Sequence, residues 1–206
     1  MMVIISDIHS NFRKFKKVLE RENPDLILVC GDITDFNPRD ISVFDKLLMD
    51  FEGECLAVHG NCDDERCVEL LESAENIKFI HGKSVEIQGY TFYGLGGSTE
   101  TPFFTPSEYS EEYYYELLKK FNYKANSILI SHSPPYGILD RTYHGVNAGS
   151  KAIRDYLDKF DYIFCGHIHE SYGVLKVSKT TVVNVGCLAD GIYVKTDLSN
   201  ITFCRI

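Results

Sequence analysis

Asp7 and His9 stand two residues apart, as do His167 and His169, and between these pairs come Asp32 and Asn61, each after a glycine, and His132 after a serine. Carboxylates, amides and imidazoles are hard-to-borderline donors suited to manganese, iron, zinc, cobalt or nickel, and no thiolate is needed among them. Seven such groups are too many for one ion that keeps an open coordination position, and they suit two ions sharing a carboxylate. Taken singly, a histidine at a strand end is more often a hydrogen-bonded structural residue, and the stretch CGHIH at 165–169 also admits a nucleophile with its partner. The joint pattern decides for metal, because packing gives no reason for five apolar strands all to end in potential ligands.

Those strands are short, apolar runs at 3–5, 26–30, 56–58, 128–130 and 162–165, and each leads directly into one of the polar groups. Runs apolar on both faces read as buried strands, and their alternation with helical patterns points to parallel strands in an α/β sheet. The carboxyl ends of parallel strands lie along one edge, so residues scattered in sequence are expected to converge there. Residues two apart in extended backbone point to the same side, which suits Asp7 with His9 and His167 with His169.

Helical stripes fill the gaps. Phe12, Phe15 and Leu19 share a face from about Asn11 onward, with Ser10 and Asn11 as the helix start. Asn37-Pro38 reads as a cap with proline at the first helical position ahead of Ile41, Phe44, Leu48 and Phe51. The stretch TPSE at 105–108 fits a capping box opening a helix to about Phe121, and Ser150 caps another that carries Ile153, Leu157 and Phe160 inward. Segments 83–97 and 172–186 read as hairpins, with 192–195 and 201–204 as final strands. Antiparallel pieces beside βα units suggest two sheets packed together and flanked by helices.

With 206 residues, the chain reads as one domain, 1–206, with one large core. Its net charge is −9 and its only basic cluster is Arg13–Lys17 on a helix, which argues against an extended nucleic-acid groove while leaving room for a small anionic substrate beside bound cations. Seven cysteines without paired spacing read as reduced, buried thiols, and no apolar run approaches the roughly 18 residues of a membrane span. A cytoplasmic location, with no membrane partner, is the resulting expectation.

The residues fall into Asp7-Ile8-His9, Gly31-Asp32-Ile33-Thr34-Asp35, Gly60-Asn61-Cys62-Asp63, an isolated His132 in SHSPP, and Gly166-His167-Ile168-His169. In this order they resemble the signature of the calcineurin-like metallophosphoesterases. The resemblance implies a four-layer αββα sandwich of two mixed sheets between helices, and a phosphoesterase with two divalent metals. It also implies that Asp7, His9, Asp32 and His169 hold one ion, and that Asp32, Asn61, His132 and His167 hold the other, with Asp32 bridging. Asp32, Asn61 and His132 then carry the chemistry, in which a metal-bridging hydroxide attacks phosphorus.

One position departs from the family pattern. Where the family has histidine after asparagine, as a group that stabilises the transition state or protonates the leaving group, this chain has Cys62. A subgroup of small phosphodiesterases is similar in carrying GNCD, which favours small phosphodiesters as substrates. A phosphomonoesterase or nucleotide phosphatase of the same fold, or a non-catalytic metal-binding scaffold, is the alternative. Asp35 and Asp63 are expected to support the ligands by hydrogen bonds. Tyr136, Arg141 and His144 are candidates for the substrate mouth, while Phe103, Phe104 and Tyr113–Tyr115 read as packing or subunit contacts before an aromatic lip. A homo-oligomer is compatible with such contacts. His59 and His81 are taken as structural.

Overall fold

The protein is described for residues 1–206 by a computed structural model. The first half runs β1 (Met2–Ile5), α1 (Phe12–Glu22), β2 (Leu26–Cys30), α2 (Arg39–Leu47), β3 (Glu54–Val58), α3 (Glu65–Glu72) and β4 (Lys78–Phe79). It continues through β5 (Ser84–Ile87), β6 (Tyr90–Leu95), β7 (Ser98–Thr99), β8 (Glu108–Tyr109), α4 (Glu111–Lys120), β9 (Ser127–Ser131) and α5 (Lys151–Asp155). The chain closes with β10 (Tyr162–Cys165), β11 (Gly173–Val177), β12 (Thr180–Asn184), β13 (Ile192–Thr196) and β14 (Ile201–Arg205).

Two six-stranded mixed sheets result, ordered β14-β13-β1-β2-β3-β4 and β11-β12-β10-β9-β6-β5. Parallel strands fill the middle of each; antiparallel hairpin strands finish one edge of the first sheet and both edges of the second, and the parallel β4 forms the remaining edge. Side-chain alternation builds the layers. On β1 and β2, Val3, Ile5, Ile27 and Val29 pack with Phe15, Val18, Ile41 and Phe44 from α1 and α2. Their neighbours Ile4, Leu28 and Cys30 turn the other way, meeting Phe92, Ile128, Ile130, Phe164 and Val183 of the second sheet. Beyond that sheet, Leu129, Ile163 and Cys165 pack under Tyr114, Leu118 and Ile153 of α4 and α5. The central strands thus bury both faces, giving the αββα sandwich with two mixed sheets that the resemblance implied. No helix is long and apolar enough to cross a membrane.

Two sequence expectations are corrected. TPSE does not open a helix: α4 begins after Ser110, whose hydroxyl accepts the Tyr113 N–H. Half of the capping geometry at TPSE forms nonetheless, because Glu108 accepts from the N–H and hydroxyl of Thr105, and it also takes the N–H and hydroxyl of Thr101. Those bonds fold 101–108 into a tight loop, and β8 forms where the helix was expected. The second correction concerns the edge, since the five strands that lead into the candidate ligands belong to two sheets, not one: β1, β2 and β3 to the first, β9 and β10 to the second.

His59 and His81 sit in an aromatic cluster with Tyr109 and Tyr113. His81 Nδ1 accepts the Gly96 N–H at 2.8 Å, so its Nε2–H points at the Tyr113 hydroxyl, 2.8 Å away. Burial, then the Lys83 charge, lowers His81 to about 4, and burial carries His59 well below the ordinary range. Both rings are therefore neutral in the fold, whereas the unfolded chain binds their protons near about 6.5. Their stabilisation is complete above that pH and is lost as pH falls toward His81's folded value. The urea midpoint is expected to drop between about pH 6.5 and 4, and His81→Gln should flatten part of that drop; an unchanged slope in the variant would contradict this assignment.

Candidate metal centre

The first sheet delivers Asp7, His9, Asp32 and Asn61 from the loops after β1, β2 and β3, and the second delivers His132, His167 and His169 from the loops after β9 and β10. Backbone hydrogen bonds join these loops: Asp7 N–H to the Gly31 carbonyl, Ile8 and His9 N–H to the Asp32 carbonyl, His132 N–H to the Leu95 carbonyl, and Gly166 N–H to the His132 carbonyl. The turns are strained. Asp7, His9, Asp32 and His167 all adopt positive φ, 54°, 45°, 48° and 67°, a left-handed region that non-glycine residues occupy at a cost and that clusters at functional sites.

Asp32 lies at the middle. Its Oδ2 is 3.7 Å from His9 Nε2 and 3.6 Å from His132 Nε2, while its Oδ1 accepts the Cys62 N–H at 2.8 Å. Asp7 Oδ1 is 2.9 Å from His169 Nε2 and 3.9 Å from His9 Nε2, and its Oδ2 accepts the His167 N–H. Donor atoms of Asp7, His9 and His169 lie mutually within 4.8 Å, as do those of Asp7, Asp32 and His132. His167 packs its ring 4.9 Å from that of His132 without joining either tight group.

The donors fit cations on their own chemistry. His132 Nδ1 faces the Cys30 carbonyl at 2.7 Å, which requires an N–H there and leaves the lone pair on Nε2. Asn61 Nδ2 donates to the Thr105 hydroxyl at 3.0 Å, so Asn61 Oδ1 is the atom 2.8 Å from His132 Nε2. Two buried acceptors facing each other at that distance require a positive centre, either a further proton on the ring or a metal ion.

Protonation follows from the same contacts. Burial raises the Asp7 carboxyl, but the hydrogen bond and charge of His169, with the charge of His132, outweigh it and hold Asp7 well below the usual carboxylate range. Burial opposes a proton on His169, yet its bond to Asp7 pushes it up to about 11. Burial, then His132, takes His167 down to about 3. Asp7 and His167 thus already offer lone pairs, and His169 would give up a proton on binding a cation, so that cation uptake would compete with acid.

The supporting residues divide unevenly. Asp63, fully buried, accepts N–H groups from Ile33, Thr34 and Gly60 and ties the loops of Asp32 and Asn61 together. Burial and the neighbouring Asp32 raise its carboxyl against the pull of those donors. Asp35 is exposed, and its contribution is a backbone N–H to Ser10 Oγ, with no side-chain bond to a ligand. Cys62 is buried, with Sγ within 4.8 Å of donor atoms of His9 and Asp32; burial, then Asp32, pushes the thiol far above its ordinary range.

Beside His167 opens a cleft of about 710 Å³, lined among others by Tyr136, His144 and Lys151. Arg141 stays outside that wall, its carbonyl accepting the Ser171 hydroxyl. Two further residues escaped sequence reasoning. Asn184 Nδ2 donates to the Ile168 and Leu139 carbonyls and fixes the turn carrying His167 and His169; its place at the end of an apolar strand was the available signal. Cys187 joins His169 and Asp190 in a third close group, and nothing in its spacing marks it.

Residues 2–171 match the calcineurin-like phosphoesterase family, and the chain belongs to that family. An uncharacterized protein of Methanocaldococcus jannaschii is 38% identical over 200 residues, covering 89% of this chain and 86% of that protein. The human metallophosphoesterase domain-containing protein 1 is 25% identical over 221 residues, covering 88% of this chain and 64% of the human protein. The crystal structure of TT1561 of Thermus thermophilus superposes with a TM-score of 0.78 at 18% identity, covering 99% of this chain and 97% of that one, a likeness of fold. Family and donor clusters together make the protein a metal-dependent phosphoesterase, a hydrolase with candidate sites for divalent cations.

Gly60 shows how tightly the centre is drawn. A Cβ there would lie 2.0 Å from Asp32 Oδ1 and 2.2 Å from Asp32 N, both fixed atoms. Gly60→Ala should displace Asp32 and lower bound metal by about tenfold or more in affinity, on the scale of losing a ligand's support; elemental analysis after dialysis checks it, and full metal content would refute it.

Proposed function

We propose that the protein is a phosphodiesterase acting on small phosphodiesters with two divalent cations, manganese first among candidates and iron, zinc, nickel or cobalt as substitutes. Asp7, His9, Asp32 and His169 would hold one, and Asp32, Asn61, His132 and His167 the other. The observation that carries this reading is the Asp32 carboxylate oxygen flanked by His9 and His132 at nearly equal distance. Two bound cations supply a lowered pKa for water and polarisation of the phosphoryl oxygens.

The chain's own groups do the positioning. Cys30's carbonyl fixes the tautomer of His132, Thr105 fixes the amide of Asn61, and Asp63 fixes both backbone turns that aim the carboxylate and the amide. No imidazole follows Asn61 to protonate a leaving group, and burial with the Asp32 charge opposes ionisation of the Cys62 thiol. A weak acid at that place favours esters whose leaving alkoxide or phenoxide is stable without a proton. Tyr136 and His144 are proposed to face the bound ester, with Arg141 outside the cleft lining.

Metal-stripped protein reloaded with manganese is expected to hydrolyse bis(4-nitrophenyl) phosphate at least about tenfold faster than 4-nitrophenyl phosphate. Asp32→Ala should lose bound metal and turnover together. Turnover that survives chelation, or a preference for the monoester, would overturn the reading. Cys62→Ser is expected to keep turnover within about threefold, since neither a serine hydroxyl nor a thiol whose ionisation burial opposes is a ready proton donor; a hundredfold loss (about 2.7 kcal/mol) with metal content intact would make Cys62 a catalytic residue.

A further inference from the structure

The cleft has one candidate ligand, His167, in its lining, and much of its wall is aromatic and apolar surface that solvent reaches freely. Phe103 is 80% exposed, Tyr143 87%, Val146 60% and Tyr136 39%, and all four line the cleft. An isolated exposed apolar residue needs no explanation, but several around one concave site do. They come from two separate loops, and both loops are built. Glu108 holds 101–105 through four bonds from Thr101 and Thr105. The other loop is held by the buried Asp140, which accepts the Gly137 and Gly149 N–H groups, and by Glu170, which accepts the Tyr143 N–H at 2.6 Å.

Charge narrows the occupant. Lys151 is the only lysine or arginine in the lining, its ammonium 5.8 Å from the Tyr136 ring centre, and it is outnumbered by Glu100 and Glu170. Such a wall gains nothing from a second phosphate or carboxylate, and it disfavours a nucleic-acid backbone, which needs clustered cations. A neutral ring, in contrast, finds aromatic partners whose stacked or edge-on contacts add to the gain from the area they bury. The volume, about 710 Å³, is within the roughly 300–1,000 Å³ of small-molecule sites.

We infer that this cleft is the subsite for one ester arm of the substrate, and that the arm is a neutral aromatic ring seated between Phe103 and Tyr136 while the phosphoryl group meets the metal centre past His167. This rests on the phosphoesterase reading above and adds the class of group attached to phosphorus. The loop that carries Phe103 also carries Thr105, the residue that holds the Asn61 amide, so ring binding and ligand geometry share one loop.

Calorimetric titration of the manganese-loaded protein with phenylphosphonate and with methylphosphonate separates the arm from the phosphoryl group without requiring turnover. Phenylphosphonate is expected to bind about tenfold more tightly. In the Phe103→Ala/Tyr136→Ala variant, whose replaced side chains are exposed and not part of the core, its affinity should fall to that of methylphosphonate. Equal binding of the two by the unaltered protein, or a preference that survives in the variant, would overturn the subsite while leaving the phosphoesterase reading standing. If neither phosphonate bound to metal-loaded protein, both would fall.

Discussion

Burying Asp32 between two imidazole groups is the constraint on which the rest of the molecule depends. A carboxylate out of water is costly unless positive charge or donors surround it. Here one oxygen is satisfied by the Cys62 N–H and the other is turned toward His9 and His132. Around it the loops accept left-handed backbone at Asp7, His9, Asp32 and His167, and close approaches such as Gly166, where a Cβ would sit 2.4 Å from Asp7 Oδ2. Such strain persists only where the surroundings over-determine it, and the ladder of loop-to-loop hydrogen bonds together with Asp63 does so.

The two-sheet architecture explains why the donors divide as they do. Neither sheet alone carries a complete set: the first brings both aspartates, His9 and the amide, and the second brings three imidazoles. The centre forms only where both sheets end at the same level, and the inner apolar layer sets that register. Ile4, Leu28, Leu56 and Val58 of one sheet pack against Ile128, Ile130 and Phe164 of the other, within a few residues of the candidate donors they position. Packed interiors tolerate little displacement, so the same residues that stabilise the fold also keep the donor spacing short.

Much of this was legible in the sequence because the governing signals are local. Apolar runs of three to five residues announced the strands, and the polar residue after each announced the convergence. The division between two sheets was not legible in those runs, because a buried parallel strand looks the same in either layer. TPSE misled for a different reason: its glutamate is satisfied by Thr101 and Thr105, a competition that depends on where the loop returns. Asp35 and Asp63 each close their motif, yet only Asp63 is carried inward, since its carboxylate meets three N–H groups contributed by two loops. The place of Arg141 outside the cleft was not legible either, because loop side chains have no period to reveal which wall they face.

Cys62 and the cleft bear on one another. An enzyme that gives up an imidazole beside its asparagine loses a ready proton donor, and it retains speed only on esters whose leaving oxygen tolerates departing as an anion. Aromatic alcohols are of that kind, because the ring delocalises the charge. A cleft with exposed aromatic walls and an acidic rim collects such rings and discriminates against further negative charge. The small buried thiol and the aromatic walls therefore point to the same class of ester through independent physics, one through the chemistry of departure and the other through the chemistry of binding.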